Sequence, residues 1–193
     1  MNCLTRLRSN SLVSLILQKN PKNRPSAFPD HPEGSMTKMN AAEAKNIEVV
    51  RRYFAGCGSG DLAVLLSTLA PDVVHYFLPP RFPPIRGAEH LARHWRKFKL
   101  ALDPVWSIDR IVACGDEVVS EWSCIWTPNG TQKRLMLRGS EWYVMRDGKI
   151  AEVRAYFMHD EDGNTELAGF PYAERGYLAF AEETPSDVGG RSR

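Results

Sequence analysis

The stretch that decides the fold is Gln132–Phe157, with the sequence QKRLMLRGSEWYVMRDGKIAEVRAYF. At its centre Asp147-Gly148 separates two apolar runs, and Asp-Gly in that setting is a strong signal for a tight β-hairpin. Both faces of the first strand are largely apolar, so both are expected to face protein rather than water. The stretch therefore predicts a long hairpin within a curved sheet.

Glu141 is the anomaly in the first strand of this hairpin. Alternate residues share one face of a strand, and Glu141 falls in an otherwise apolar row. The row consists of Leu135, Leu137, Gly139, Glu141, Tyr143 and Met145. A charge there is costly unless it is paired or neutralised. If the sheet curves around this face, Glu141 points into a cup and suits a proton donor or base; the alternative is a structural carboxylate paired with a nearby Arg or Tyr.

The chain before the hairpin predicts helices first and then strands. Asn40 and Glu43 form a capping-box-like start for a helix that runs to about Ala55. Capping, proline and hydrophobic-period signals place the remaining elements. These are a helix over 62–70, a strand over 72–78, a helix over 88–100, and strands over 105–114 and 117–126. The predicted class is α+β, a curved antiparallel sheet forming a cone over three N-terminal helices.

Length and composition indicate the domain organisation, the cellular location and the class of partner. The 193 residues fit one domain, expected over 40–182, with tails at 1–39 and 183–193. Residues 1–39 are rich in basic residues and proline, which is typical of a disordered tail expected to be dispensable for folding, or of a targeting segment. The four cysteines are scattered, which favours a reducing, cytoplasmic location. With a net charge of +2 and no long apolar run, neither nucleic acid nor membrane is the expected partner.

Two further residues are candidates for chemistry. His75 lies on the same face of its strand as Val73 and Phe77 and is an acid–base candidate by residue type; the alternative is a buried or rim histidine without chemistry. Tyr53 lies at the edge of the first helix's buried stripe and is able to donate to a substrate oxygen. The alternative is an amphipathic core tyrosine.

The order of these elements resembles the SnoaL-like branch of the nuclear transport factor 2-like superfamily over residues 40–160. Several short motifs recur in order and carry the resemblance. They are Arg52-Tyr53-Phe54 followed by Gly60-Asp61, Ala70-Pro71-Asp72-Val73-Val74, Ile85-Arg86-Gly87, Arg146-Asp147-Gly148-Lys149-Ile150 and Arg154-Ala155-Tyr156-Phe157. The fold hosts many unrelated activities, so the resemblance implies the architecture more firmly than the function.

The resemblance also implies roles for single residues. Ketosteroid isomerases of this superfamily use a helix-one tyrosine and a protonated aspartate as oxyanion donors, with a second aspartate as base; the matching positions are Tyr53, Glu141 and Phe77. Phe77 carries no proton, and His75 on the same strand face is positioned to replace the base. Limonene-epoxide hydrolases use an arginine and two aspartates, and the matching positions hold Trp122, Cys124 and Ala155. That triad is absent from this chain.

Two functions therefore remain open. The first is a cofactor-independent isomerase, dehydratase or cyclase acting on a small apolar molecule, with Glu141, His75 and Tyr53 as catalytic residues. The second is a non-catalytic protein of the same fold that binds a ligand or partner. In either case the expected pocket lining is Phe77, Trp122, Cys124, Tyr143, Ala155 and Phe157.

No cofactor or metal site is predicted. His90 and His94 lie four apart on a helix, but a solvated helix face explains them without a third ligand. The aromatic run at 169–172 is expected to cover a cavity mouth. A homodimer is expected through the outer face of the sheet, and the resemblance implies the same pairing. That face carries Val119, Ser123, Ile125, Trp142, Val144 and Tyr156, with Glu121, Glu152 and Arg154 available for ion pairs across the two-fold axis.

Overall fold

The computed structural model describes residues 39–78 and 82–179. Apart from Met39, the predicted tails 1–39 and 183–193 lie outside the described residues. Among the residues that the structure describes, no helix is long and apolar enough to span a bilayer. The elements are α1 (Ala41–Ser59), α2 (Leu62–Thr68), β1 (Leu69–Phe77), β2 (Ile85–Arg86), α3 (Ala88–Leu102), β3 (Val105–Cys114), β4 (Glu117–Trp126), β5 (Leu135–Arg146) and β6 (Lys149–Phe157).

The described strands form one open sheet in the order β2-β1-β6-β5-β4-β3. Neighbouring strands are antiparallel except β1 and β6, which run parallel. The core lies between the inner face of the sheet and the helices, where Val50 and Leu91 are fully buried with Val153 of β6. The α+β prediction is confirmed. The parallel pair makes the sheet mixed, because α3 and four strands separate β1 from β6 in sequence and no short turn fixes their direction.

The predicted turns hold the register of the central strands. Arg146 pairs with Lys149 across Asp147-Gly148, and both turn residues have positive φ, 52° and 69°. Two consecutive left-handed residues are what a type I′ hairpin requires. On this register Leu135, Leu137, Glu141, Tyr143 and Met145 all lie buried on the inner face.

Ile150 departs from the strict alternation of side chains along the second strand of the hairpin, β6. Strict alternation places Ile150 on the outer face with Glu152, yet Ile150 is fully buried in the core. The pairing shifts between Val144 and Met145, which oppose Glu152 and Ile150 respectively. This β-bulge leaves Ala151 unpaired and turns Ile150 inward.

The start of α1 is fixed at both the local and the tertiary level. The expected capping box is present, since the Asn40 side chain accepts from the Glu43 N–H and the Glu43 carboxylate accepts from the Asn40 N–H. Glu43 also accepts a 3.0 Å hydrogen bond from the Gly115 N–H, and Asn46 donates to the Gly115 carbonyl at 3.1 Å. These bonds dock α1 on the β3–β4 turn.

The segment after β6 crosses the outer face of the sheet. Arg138 of β5 pairs with Glu166 at 2.5 Å and stacks on Tyr172, with its guanidinium carbon 3.6 Å from the ring centroid. Further along, Tyr177 donates to Glu121 of β4. The aromatic run at 169–172 was expected to cover a cavity mouth, and its Phe170 and Tyr172 line a cleft of about 420 Å³ together with Glu121 and Arg138 of the sheet. The ring of Tyr172 packs on Arg138 of β5 and that of Phe170 packs on Arg175 of the same segment, contacts that hydrophobic patterning alone does not reveal.

Candidate functional site

The inner face of the sheet brings His75 and Glu141 together. His75 of β1 is fully buried and Glu141 of β5 is 5% exposed. Their strands are separated by β6, where the small residue Ala155 pairs with both Phe77 and Glu141. Because Ala155 fills little of the space between them, His75 Nε2 and Glu141 Oε1 approach to 3.6 Å.

Tyr143 is the hydrogen-bond partner of the buried carboxylate. Its hydroxyl donates to Glu141 Oε2, while Oε1 faces His75. The tyrosine is fully buried, and burial, followed by the charge of Glu141, raises the pKa of its phenol well above the ordinary value. Tyr143 was expected only to line a pocket. It acts here as the donor that offsets part of the cost of burying a carboxylate.

Tyr53 of α1 lies beside this pair and does not join it by a direct hydrogen bond. Its hydroxyl accepts a 2.6 Å hydrogen bond from Trp95 Nε1 of α3, and its ring meets Tyr143 edge to face at 6.3 Å. Burial raises the pKa of Tyr53 well above its usual range, with smaller contributions from Cys57 and Glu141. Because the phenol accepts from Trp95, its own O–H remains able to donate.

His75 has ring contacts but no hydrogen bond. Its ring stacks on Phe77 at 4.3 Å and meets Trp95 at 5.7 Å. Neither ring nitrogen has a hydrogen-bond partner among the described residues, and the same holds for the hydroxyl of Ser120. Ser120 pairs directly with Glu141 across β4 and β5. Buried polar atoms without partners are rare, and they mark places where water or a ligand fits.

Aromatic side chains form the wall of the cup around this cluster. Phe157 lies 6.4 Å from Phe77 and 6.0 Å from Trp122, measured between ring centroids. Cys124 is fully buried on the same face, and burial raises the pKa of its thiol. A protonated, buried thiol is a packing group rather than a nucleophile.

Sequence reasoning missed three residues of the cluster, namely Ser120, Trp95 as a hydrogen-bond donor, and His94. The imidazole of His94 was expected on a solvated face, yet it is half-buried against Phe77, with ring centroids 6.1 Å apart. Burial, followed by the nearby His75, lowers the pKa of His94 to about 4. Its position beside the stripe Leu91, Trp95 and Phe98 was the available signal. No group of three metal-ligating side chains occurs in the described part of the chain.

The comparisons with known proteins agree with this architecture. A family model for the SnoaL-like domain matches residues 50–153, more than half of the chain. The chain belongs to the SnoaL-like family. No curated protein matches its sequence.

Several solved structures are also similar to this chain. A protein of unknown function with a cystatin-like fold from Methylobium petroleophilum PM1 is 30% identical, with a TM-score of 0.54, and the match covers 74% of this chain and 97% of that one. An LEH-like epoxide hydrolase from M. tuberculosis is 23% identical over 60% of this chain and 84% of its own, with a TM-score of 0.54. A candidate SnoaL-like polyketide cyclase from Jannaschia sp. CCS1 is 16% identical over 61% and 88%, with a TM-score of 0.54. The last two similarities concern the fold alone.

Proposed function

We propose that this SnoaL-like domain binds a small, mostly apolar molecule in the cup and catalyses cofactor-independent proton transfer on it, as an isomerase, dehydratase or cyclase. One observation carries the proposal. His75 is fully buried with no hydrogen-bond partner among the described residues, and its Nε2 lies 3.6 Å from a buried carboxylate. An orphaned imidazole beside a carboxylate resembles a general base that awaits its substrate.

The roles follow from the two ring nitrogens. With Nε2–H directed at Glu141 Oε1, the lone pair of Nδ1 is free to take a proton from carbon. Glu141 then stabilises the imidazolium, and Tyr143 holds the other carboxylate oxygen in place. Tyr53 keeps an O–H that can donate to the substrate oxygen on which negative charge develops. The proposed lining of the substrate's apolar body is Phe77, Trp122, Cys124, Tyr143, Ala155 and Phe157.

A β,γ-unsaturated cyclic ketone, 3-cyclohexenone, tests this proposal. The base would remove the proton between the carbonyl and the double bond and return it to the γ-carbon, so that ultraviolet absorbance reports the conjugated product. We expect the wild type to isomerise the ketone faster than buffer does. In His75→Gln, the rate above that of buffer should fall about hundredfold. His90→Gln is the matched control, because His90 is exposed on α3 and should leave the rate unchanged.

Specific observations also support a binding protein without catalysis. Inner-face positions that carry acid or base groups in related enzymes hold Phe77, Trp122, Cys124 and Ala155 here. A wild type that binds the ketone and does not convert it contradicts the catalytic proposal and favours binding alone. Thermal melts of every variant are needed to exclude misfolding.

We also propose that the protein forms a homodimer through the outer face of the sheet. The support is apolar exposure on that face, where Trp142 is 36% and Tyr156 is 46% exposed. Ser123 does not belong to the interface, because it is fully buried and bonded to Asp109 and Arg138. The proposal of a cytoplasmic location rests on the free, unpaired state of Cys57, Cys114 and Cys124 in the described part of the chain.

A further inference from the structure

A second cleft, of about 470 Å³, lies between the C-terminal half of α1, the end of α3 and the start of β3. Its volume falls in the range of small-molecule sites. It is lined by Arg51, Phe54, Ala55, Gly58, Lys99, Pro104, Val105, Trp106 and Ile108. Neither Glu141, His75 nor Tyr53 is among these residues, so the cleft is separate from the proposed catalytic cup.

The charged side chains that line this cleft are cationic. Arg51 is exposed and makes no hydrogen bond or ion pair with any described residue. Lys99 pairs with Asp103 at 2.5 Å, and Asp103 is shared with Arg134 at 3.2 Å. The carboxylate of Asp103, four residues beyond Lys99, is therefore held by two cations. No acidic side chain lines the cleft, which leaves the Arg51 guanidinium available to an anion.

The floor of the cleft is apolar and contains an unused donor. Trp106 packs edge to face on Phe54 at 5.9 Å, and its Nε1 is buried without a hydrogen-bond partner. The atom bonded to it, Cδ1, lies 3.9 Å from the point that a Cβ on Gly58 would occupy. Gly58 also lines the cleft and has no side chain to cover the Cδ1 atom of the indole, while Nε1 itself is buried beneath the surface. A free cation at the rim and a free donor at the floor both suit an oxygen acceptor.

We propose that this cleft binds a small amphipathic carboxylate, with an aliphatic or aromatic body. The Arg51 guanidinium holds the carboxylate by charge-assisted hydrogen bonds. The body lies against the apolar side chains of Phe54, Val105 and Ile108. This site stands independently of the catalysis proposed for the cup.

Octanoate is the probe, with octanol as its neutral analogue. Titration calorimetry of wild type should show octanoate binding about tenfold tighter than octanol, and Arg51→Gln should remove that difference. Arg52→Gln is the matched control. It removes the same charge from the next position of α1, where Arg52 is also exposed and does not line the cleft, so octanoate affinity should stay unchanged. Octanoate should also shift the indole N–H resonance of Trp106, assigned with Trp106→Phe.

Three outcomes would overturn the inference. One is the absence of octanoate binding up to about 10 mM, which is weaker than specific small-molecule recognition requires. Another is an equal loss of affinity in Arg51→Gln and Arg52→Gln, which would show attraction to net charge alone. The third is loss of octanoate binding in Glu141→Gln, which would place the probe in the cup. None of these results depends on ketone turnover. Carboxylate binding in the cleft and catalysis in the cup can therefore be disproved independently of each other.

Discussion

The central residues of the cup illustrate how a buried charge is accommodated. Glu141 has Tyr143 on one oxygen and His75 near the other, and both partners come from the sheet itself. A buried carboxylate deprived of one partner keeps its desolvation cost and loses the compensation. We therefore expect the hydroxyl of Tyr143 to stabilise the folded protein as well as to orient the Glu141 carboxylate.

Tyr143→Phe tests that expectation. The substitution preserves the ring and removes the donor to Glu141, so we expect the free energy of unfolding to fall by about 1–3 kcal/mol. Urea denaturation at neutral pH measures it. Tyr156→Phe is the control, because that tyrosine is 46% exposed on the outer face and should change stability by less than about 0.5 kcal/mol. Equal effects of the two variants would contradict the buried pairing.

His94 predicts a pH dependence of stability. Burial lowers its pKa from 6.5 to about 4 in the folded protein. The unfolded chain therefore binds more protons between these values, and stability is complete above about pH 6.5 and declines as the pH falls toward 4. Because the ring is half-buried, solvent screening limits the effect to about 1–2 kcal/mol.

Urea denaturation of wild type and His94→Gln between pH 4 and 7 measures how much His94 contributes to the pH dependence of stability. The range spans its ordinary pKa and its lowered pKa of about 4. The variant should lose less stability on acidification than wild type. His90→Gln, which changes an exposed histidine on the same helix, should follow the wild-type curve. A His94→Gln curve parallel to wild type would show that this imidazole is protonated normally.

At the scale of elements, α1 shows how packing overrides a local signal. Gly56 and Gly58 predict that the helix stops near Ala55, yet α1 continues to Ser59 and ends at Gly60 in the left-handed conformation, with φ 72°. A Cβ on Gly56 would lie 2.8 Å from Leu65 Cγ of α2. The glycine is therefore the site at which α2 packs against α1.

A matched pair of substitutions separates the two helical glycines. Gly56→Ala forces Leu65 and α2 away, so we expect it to destabilise the protein by about 1–3 kcal/mol. Gly58→Ala meets only Trp106 Cδ1, at 3.9 Å, and should stabilise the protein by about 0.5–1 kcal/mol through helix propensity. Thermal melts of both variants suffice. If both substitutions changed the stability of the protein in the same direction, the packing role of Gly56 would be refuted.

At the scale of the whole molecule, the outer face is less open than expected. The segment over 164–178 covers part of it through Arg138, Glu121 and Asp109. The charges expected to pair between copies also pair within the chain. Arg154 lies 3.1 Å from Glu152 and 3.8 Å from Glu117, and its guanidinium stacks on Trp142. The remaining apolar surface is centred on Trp142 and Tyr156.

Trp142→Glu tests the proposed homodimer. A carboxylate at the centre of a two-fold interface would face its own copy, so the dimer should dissociate while the monomer stays folded. Sedimentation at tens of micromolar compares wild type with the variant, a range that detects micromolar affinities. Leu100→Glu is the control, because Leu100 is 79% exposed on α3, away from the sheet's outer face. A monomeric wild type would remove this interface from consideration.

The local features of the fold follow from short stretches of sequence. Asp147-Gly148, Asn40 with Glu43 and the alternation along β5 act over a few residues, so turn type, helix start and the inward direction of Glu141 could be read directly. These signals also predicted the α+β class. They placed His75, Glu141 and Tyr53 near a common interior because one face of a sheet and one face of a helix meet there.

Features that depend on residues far apart in the chain emerge only when the chain is folded. Local pattern carries no information about the parallel pairing of β1 with β6, the partner of Glu141 or the Trp95–Tyr53 hydrogen bond. The bulge at Ala151 inverted Ile150, since a single extra residue exchanges the faces of a strand. The outer-face position of the segment after β6 arose from arginine–aromatic contacts, which form only once β3, β4 and β5 lie side by side.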